Sequence, residues 1–121
     1  VRHAPARVAA FLARSEALGS DAMEWTVFDG EVHHLLAVSS GNSVYTLILN
    51  GFRDLFARMA PLYFGRPQAR KASREFYVAL RAAALAGDEA DAERVIRDAM
   101  TRSIELWRPL EGQLAKGGGR W

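Results

Sequence analysis

Four short junctions divide this 121-residue chain, and they constrain its fold more than any other feature: Gly19-Ser20, Ser40-Gly41-Asn42, Gly65-Arg66-Pro67 and Gly87-Asp88. Each joins a residue suited to ending a helix with one suited to starting the next. Glycine adopts the left-handed conformation that closes a helix. Serine, asparagine and aspartate side chains accept from the unpaired N–H groups of the following first turn, and proline fits that turn without losing a bond. Between the junctions alanine and leucine dominate and few runs are rich in β-branched residues, so the segments read as helices rather than strands. Connections this short force neighbouring helices to run in opposite directions. The expected fold is all-α, an antiparallel helical bundle.

The first helix is expected from Pro5 to Leu18 and the second from a Ser20 cap to Ser40. The third runs from Asn42 to Phe64, with Val44, Leu47, Ile48, Phe52, Leu55, Phe56, Met59, Leu62 and Tyr63 at the spacing of one helix face. The fourth begins at Gly65-Arg66-Pro67 and stops at Gly87. The fifth, capped by Asp88, carries Ala92, Val95, Ile96, Ala99, Met100, Ser103, Trp107 and Leu110 on one stripe. Pro61 and Pro109 are predicted to kink their helices, since each removes a backbone donor. Gly117-Gly118-Gly119 reads as the start of a flexible tail. One helical domain over residues 1–116 with a tail at 117–121 follows, with no repeat and no internal linker.

Composition narrows the function classes. The chain has no cysteine, which removes disulfides, zinc knuckles and thiol catalysis and fits a reducing compartment. No apolar run reaches membrane-spanning length and no charged-then-apolar signal opens the chain; the expectation is a cytoplasmic protein with no membrane partner. A formal charge of +2 is too small to argue for nucleic-acid binding by this segment, despite a pI near 9.4. The first residue is Val1 and a helix starts almost at once, so the chain is expected to be a fragment, with functions carried by an upstream part kept open.

Polar residues on the apolar stripes carry the functional signal. Asp29 and His33 are one turn apart and can meet on a single face, which Trp25, Phe28, Val32 and Leu36 point at the core. The pair fits a ligand or metal site in which the carboxylate fixes the imidazole; it fits equally a buried hydrogen bond with no ligand. Two side chains do not complete a metal site. His3 is terminal and His34 is rotated by about 100° from His33, so no metal is assigned. Ser103 and Trp107 form a second inward pair whose hydroxyl and indole N–H need partners, from a ligand or from the protein. Tyr63 and Tyr77 add phenols on two further helices. The basic run Arg70-Lys71-Ala72-Ser73-Arg74 could hold a phosphate, but reads more simply as a solvated helix face. There is no nucleophile elbow, phosphate loop or paired carboxylate; neither enzyme activity nor a cofactor is expected.

These residues resemble a known family. The run Asp29-Gly-Glu-Val-His33 followed by Ser40-Gly41-Asn42, and Gly87-Asp88 followed by an alanine-rich helix, is similar to the all-helical FCD effector domain of GntR-superfamily transcription regulators. Within it the resemblance is to the FadR branch, acyl-CoA-sensing regulators of fatty-acid metabolism. It is carried by Leu47-Ile48-Leu49-Asn50-Gly51, Tyr63-Phe64, Pro67, Ala69-Arg70, Phe76-Tyr77, Ser103 and Trp107, and runs without a gap over residues 29–107.

The resemblance implies a ligand-binding cavity formed by Asp29, His33, Phe56, Tyr63, Tyr77, Met100, Ser103 and Trp107. Metal-binding members complete their site with histidines at positions that are Tyr77 and Ala99 here, so it implies no metal. FadR-type domains place a serine and a tryptophan where Ser103 and Trp107 stand. Two pocket tyrosines fall on Phe56 and Tyr63, a third falls on Ala99, and His33 replaces an aromatic residue, which makes this cavity more polar. The implied partners are a small-molecule effector, an acyl-CoA or related metabolite, and DNA bound by a homodimer through an N-terminal winged helix outside this chain. Two alternatives stand beside it: a metal-assisted carboxylate sensor, and a helical dimerisation module whose interior is packed shut.

Overall fold

Gly87 has φ 66°, the only left-handed residue among those described, and its N–H and that of Asp88 return to carbonyls of the last turn before it. The Asp88 carboxylate then accepts from the Asp91 N–H at 2.9 Å. One glycine and one cap thus turn the chain through a tight hairpin, as their side-chain chemistry requires.

The computed structural model describes residues 4–40, 47 and 53–118. Within them lie α1 (Ala4–Ala13), a 3-10 turn (Arg14–Ala17), α2 (Ala22–Ser40), α3 (Arg53–Phe64), α4 (Pro67–Ala86) and α5 (Glu89–Gly118). No strand occurs among the described residues, so the all-α class holds. Pro67 occupies the first turn of α4. Helix α4 is the spine of the bundle: α1 lies along one side of it and α5 along the other, while α2 packs mainly on α3. Gly41-Asn42, and most of the expected first half of the third helix, lie outside the described residues. The expected tail overlaps α5, which runs through Gly118; residues 119–121 are outside the description.

Three sequence expectations shift. The first helix tightens at Arg14 into a 3-10 turn, with the Leu18 N–H bonded to the Ser15 carbonyl at 3.1 Å. The cap of α2 is Asp21 and not Ser20: the Asp21 carboxylate accepts from the Met23 N–H at 2.9 Å, leaving Ser20 one residue too early. The apolar stripes are also not uniformly buried, since Leu47, Leu62 and Met100 are exposed.

The core forms around Trp25, Tyr77, Phe64, Leu12 and Val32, all fully buried. Trp25 lies 5.8 Å from Phe64 and 6.2 Å from Tyr77, near parallel to both, and Phe28 meets Tyr77 edge-on at 5.1 Å. Each such pair adds about 0.5–1.5 kcal/mol beyond the area it buries. The Trp25 indole donates to the Gly19 carbonyl at 2.8 Å. Arg74 lies 5.0 Å above the same ring and donates to the Leu18 carbonyl at 3.0 Å. Arg70 donates to the Phe64 carbonyl at 2.7 Å. Two arginines of the basic run therefore tie off the ends of neighbouring elements, which a purely solvated face would not do.

Candidate functional site: a cavity bounded by helices α2 to α5

Four helices leave a cavity of about 600 Å³ between them, within the roughly 300–1,000 Å³ typical of small-molecule sites. Among the described residues it is lined from α2 by Asp29, His33 and Leu36, and from α3 by Tyr63. Helix α4 contributes Ala72, Ser73 and Phe76; α5 contributes Ile96, Ala99, Met100, Arg102 and Ser103. Most of the wall is apolar, with its polar groups gathered in two sets. Small residues at Ala72 and Ala99 are why α4 and α5 leave space here: larger side chains at those positions would fill it.

The first polar set is a relay through the wall. His33 Nε2 lies 3.1 Å from one Asp29 oxygen, and the Tyr77 hydroxyl donates to the other at 2.5 Å. A carboxylate buried in an apolar interior is costly unless hydrogen bonds saturate it, and here both oxygens are taken. Burial pushes the His33 imidazole down, but the Asp29 charge and hydrogen bond outweigh it and leave His33 above its ordinary value. Burial first, then the Asp29 charge, holds the Tyr77 phenol far above the usual tyrosine range, so it remains a donor.

The second set lies where α3 faces α5. The Ser103 hydroxyl points at the Tyr63 hydroxyl across 3.5 Å, beyond the usual 2.5–3.0 Å of an O–H···O bond. Both hydroxyls therefore keep bonding capacity. Burial raises the Tyr63 phenol, partly offset by Ser103 and by the positive charge of Arg102 and Arg66. Arg102 pairs with Glu75 of α4 at 2.5 Å.

Of the residues expected from sequence, Asp29, His33, Tyr63, Met100 and Ser103 face the cavity together. Phe56, Tyr77 and Trp107 do not line it; each supports a residue that does. Trp107 stacks on Tyr63 with ring centres 5.2 Å apart, Phe56 meets His33 edge-on at 6.4 Å, and Tyr77 holds Asp29. Leu36, Ser73, Phe76 and Arg102 went unseen as lining residues. Phe76 and Leu36 were visible as apolar positions, and Ser73 sat inside the basic run. Arg102 gave no signal, since it lies off the apolar stripe and arrives through the length of its side chain. No group of three or more histidine, aspartate or glutamate side chains among the described residues is placed to hold a metal ion. No helix among them is long and apolar enough to cross a membrane.

Several known proteins are similar to this chain. The chain is 36% identical over 114 residues to the fatty acid metabolism regulator protein of Shewanella frigidimarina, covering 94% of this chain and 48% of that protein. It is 35% identical over 111 residues to the protein of the same name from Shewanella amazonensis, covering 92% and 46%. The Shewanella denitrificans protein is 37% identical over 114 residues, covering 94% and 48%. The chain thus spans about half the length of these curated relatives. Residues 1–117 match the FadR C-terminal domain along almost the whole sequence. On that match, and with its all-helical fold, the chain belongs to the FadR C-terminal domain family.

Proposed function

We propose that this chain is the effector-sensing domain of a FadR-like transcription regulator and that its cavity receives the acyl part of a fatty acyl-CoA or a related fatty-acid metabolite. The observation that carries the reading is the cavity itself: about 600 Å³, apolar along Leu36, Phe76, Ile96 and Met100, with Tyr63 and Ser103 unsaturated beside it. An acyl chain takes the apolar wall, and the two hydroxyls bond its thioester or carboxyl oxygen. The saturated Asp29–His33–Tyr77 relay closes the wall rather than recruiting a metal. Names shared by the relatives support the fatty-acid context. In this reading, DNA is bound by a homodimer through an N-terminal winged helix outside this chain. The ligand acts by population shift: it favours one packing of the bundle, with leverage limited to its differential affinity for the two states.

The test is calorimetric titration of the chain with octanoyl-, dodecanoyl- and hexadecanoyl-CoA. Binding should peak at one chain length. Ser103→Ala should weaken it roughly 3–10-fold, the effect of one neutral hydrogen bond; Trp107→Ala should weaken it by at least as much by freeing Tyr63. Absence of heat from every acyl-CoA would refute the reading.

A further inference from the structure

Arg102 is the one permanently charged cation among the described residues lining the cavity. Arg102 also borders a second groove of about 180 Å³, lined by residues of α4 and α5 alone. The two spaces share Ala72, Phe76, Ala99 and Arg102, and only the second groove includes Glu75. Arg102 thus stands in the partition between them, with its guanidinium paired to Glu75 on the side of the second groove. Both side chains of that pair are about half exposed, at 47% and 50%. An ion pair in that setting contributes little net stability, so the guanidinium can change partner without loss to the fold. Tyr63 and Ser103 line the same cavity as Arg102.

Resting on the acyl-ligand reading above, we propose that Arg102 is the anion anchor of this cavity: it exchanges Glu75 for the anionic group of an acyl amphiphile and so selects charged-headed ligands over neutral ones. A guanidinium suits this task because its planar fork matches carboxylate and phosphate oxygens. The two neighbouring hydroxyls, Ser103 and Tyr63, bond the ligand's uncharged oxygen. Glu75 acts as the internal competitor. Hydrogen bonding by Arg102 holds its carboxyl below the usual glutamate range, so it stays ionised near neutrality. The anion can come from a fatty acid's own carboxylate or from the phosphates of its coenzyme A ester.

Binding of dodecanoate, dodecanoyl-CoA and dodecan-1-ol to the full chain, measured calorimetrically for wild type, Arg102→Ala and Glu75→Gln, tests this. The expected result is a loss of roughly 10-fold or more in Arg102→Ala, the weight of a charged hydrogen bond, for the anionic probe that uses the anchor. Dodecan-1-ol should change less than about 2-fold, which also reports that the variant is folded. Glu75→Gln should tighten the same anionic probe. A loss confined to dodecanoate identifies the carboxylate, and one confined to dodecanoyl-CoA the phosphates. Equal effects of Arg102→Ala on all three probes, or none on either anion, would overturn the anchor while leaving the acyl reading intact. Failure of every probe on the wild-type chain would overturn both.

Discussion

Replacing Tyr77 with phenylalanine removes one oxygen atom from the centre of the bundle. The phenol is fully buried and donates at 2.5 Å to Asp29, whose side chain is itself almost completely enclosed. The ring keeps its contacts with Trp25 and Phe28, so the packing change is small. What is lost is a hydrogen bond to a charged acceptor, about 1.5–3 kcal/mol. At roughly 4 °C per kcal/mol for a domain of this size, the melting temperature should fall by about 6–12 °C. Chemical denaturation with an unchanged m-value should give the same loss. The reasoning attributes the loss to the carboxylate, so a double-mutant cycle with Asp29→Asn should show a coupling of about 1.5 kcal/mol or more. A Tyr77→Phe loss below about 0.5 kcal/mol, or a full loss that persists in the Asp29→Asn background, would refute it.

Three further outcomes follow from the same geometry. Because the folded His33 pKa lies above the ordinary 6.5, its protonated pair with Asp29 stabilises fully below that value and fades as pH rises through the raised one. Thermal melts should therefore decline with pH across that window, and His33→Gln should flatten the decline. Gly87→Ala places a Cβ on a left-handed residue, and denaturant melts should show a destabilisation of about 1 kcal/mol. Ala99→Phe fills the cavity where α5 offers its smallest wall residue; it should weaken dodecanoyl-CoA binding by roughly 10-fold while shifting the melting temperature by less than about 3 °C.

Helix placement was legible because it rests on local chemistry. Gly87-Asp88 and Arg66-Pro67 act through their own backbone torsions and first-turn bonds, and both sit where the spacing put them. Ser20 and Asp21 show the limit of that reading: both can cap, and only the path of the chain into α2 decides between them. The site was legible as a set of inward positions but not as a wiring diagram. A helical stripe says that Tyr63 and Trp107 share a face; it does not say that one lines the cavity while the other braces it from behind. Tyr77 stood out for lacking an imidazole, whereas its role as donor to Asp29 depends on a contact spanning 48 residues. Arg102 was hidden for a related reason, since a side chain that long can enter a cavity from outside the stripe.

The junction between α3 and α4 has a mechanical meaning. Arg66, in that junction, donates to the Leu106 carbonyl of α5 at 2.8 Å, across 40 residues. The α4–α5 hairpin is consequently fastened twice, by the Gly87-Asp88 turn at one end and by this clasp near the other. A pair of rods pinned at both ends cannot splay like scissors; it can only bow apart along its middle span. That span holds the slim Ala72 and Ala99 and the half-exposed Glu75–Arg102 tie. The middle of the hairpin is thus closed by two of its slimmest side chains and an ion pair that contributes little net stability, so it is the stretch that resists bowing least.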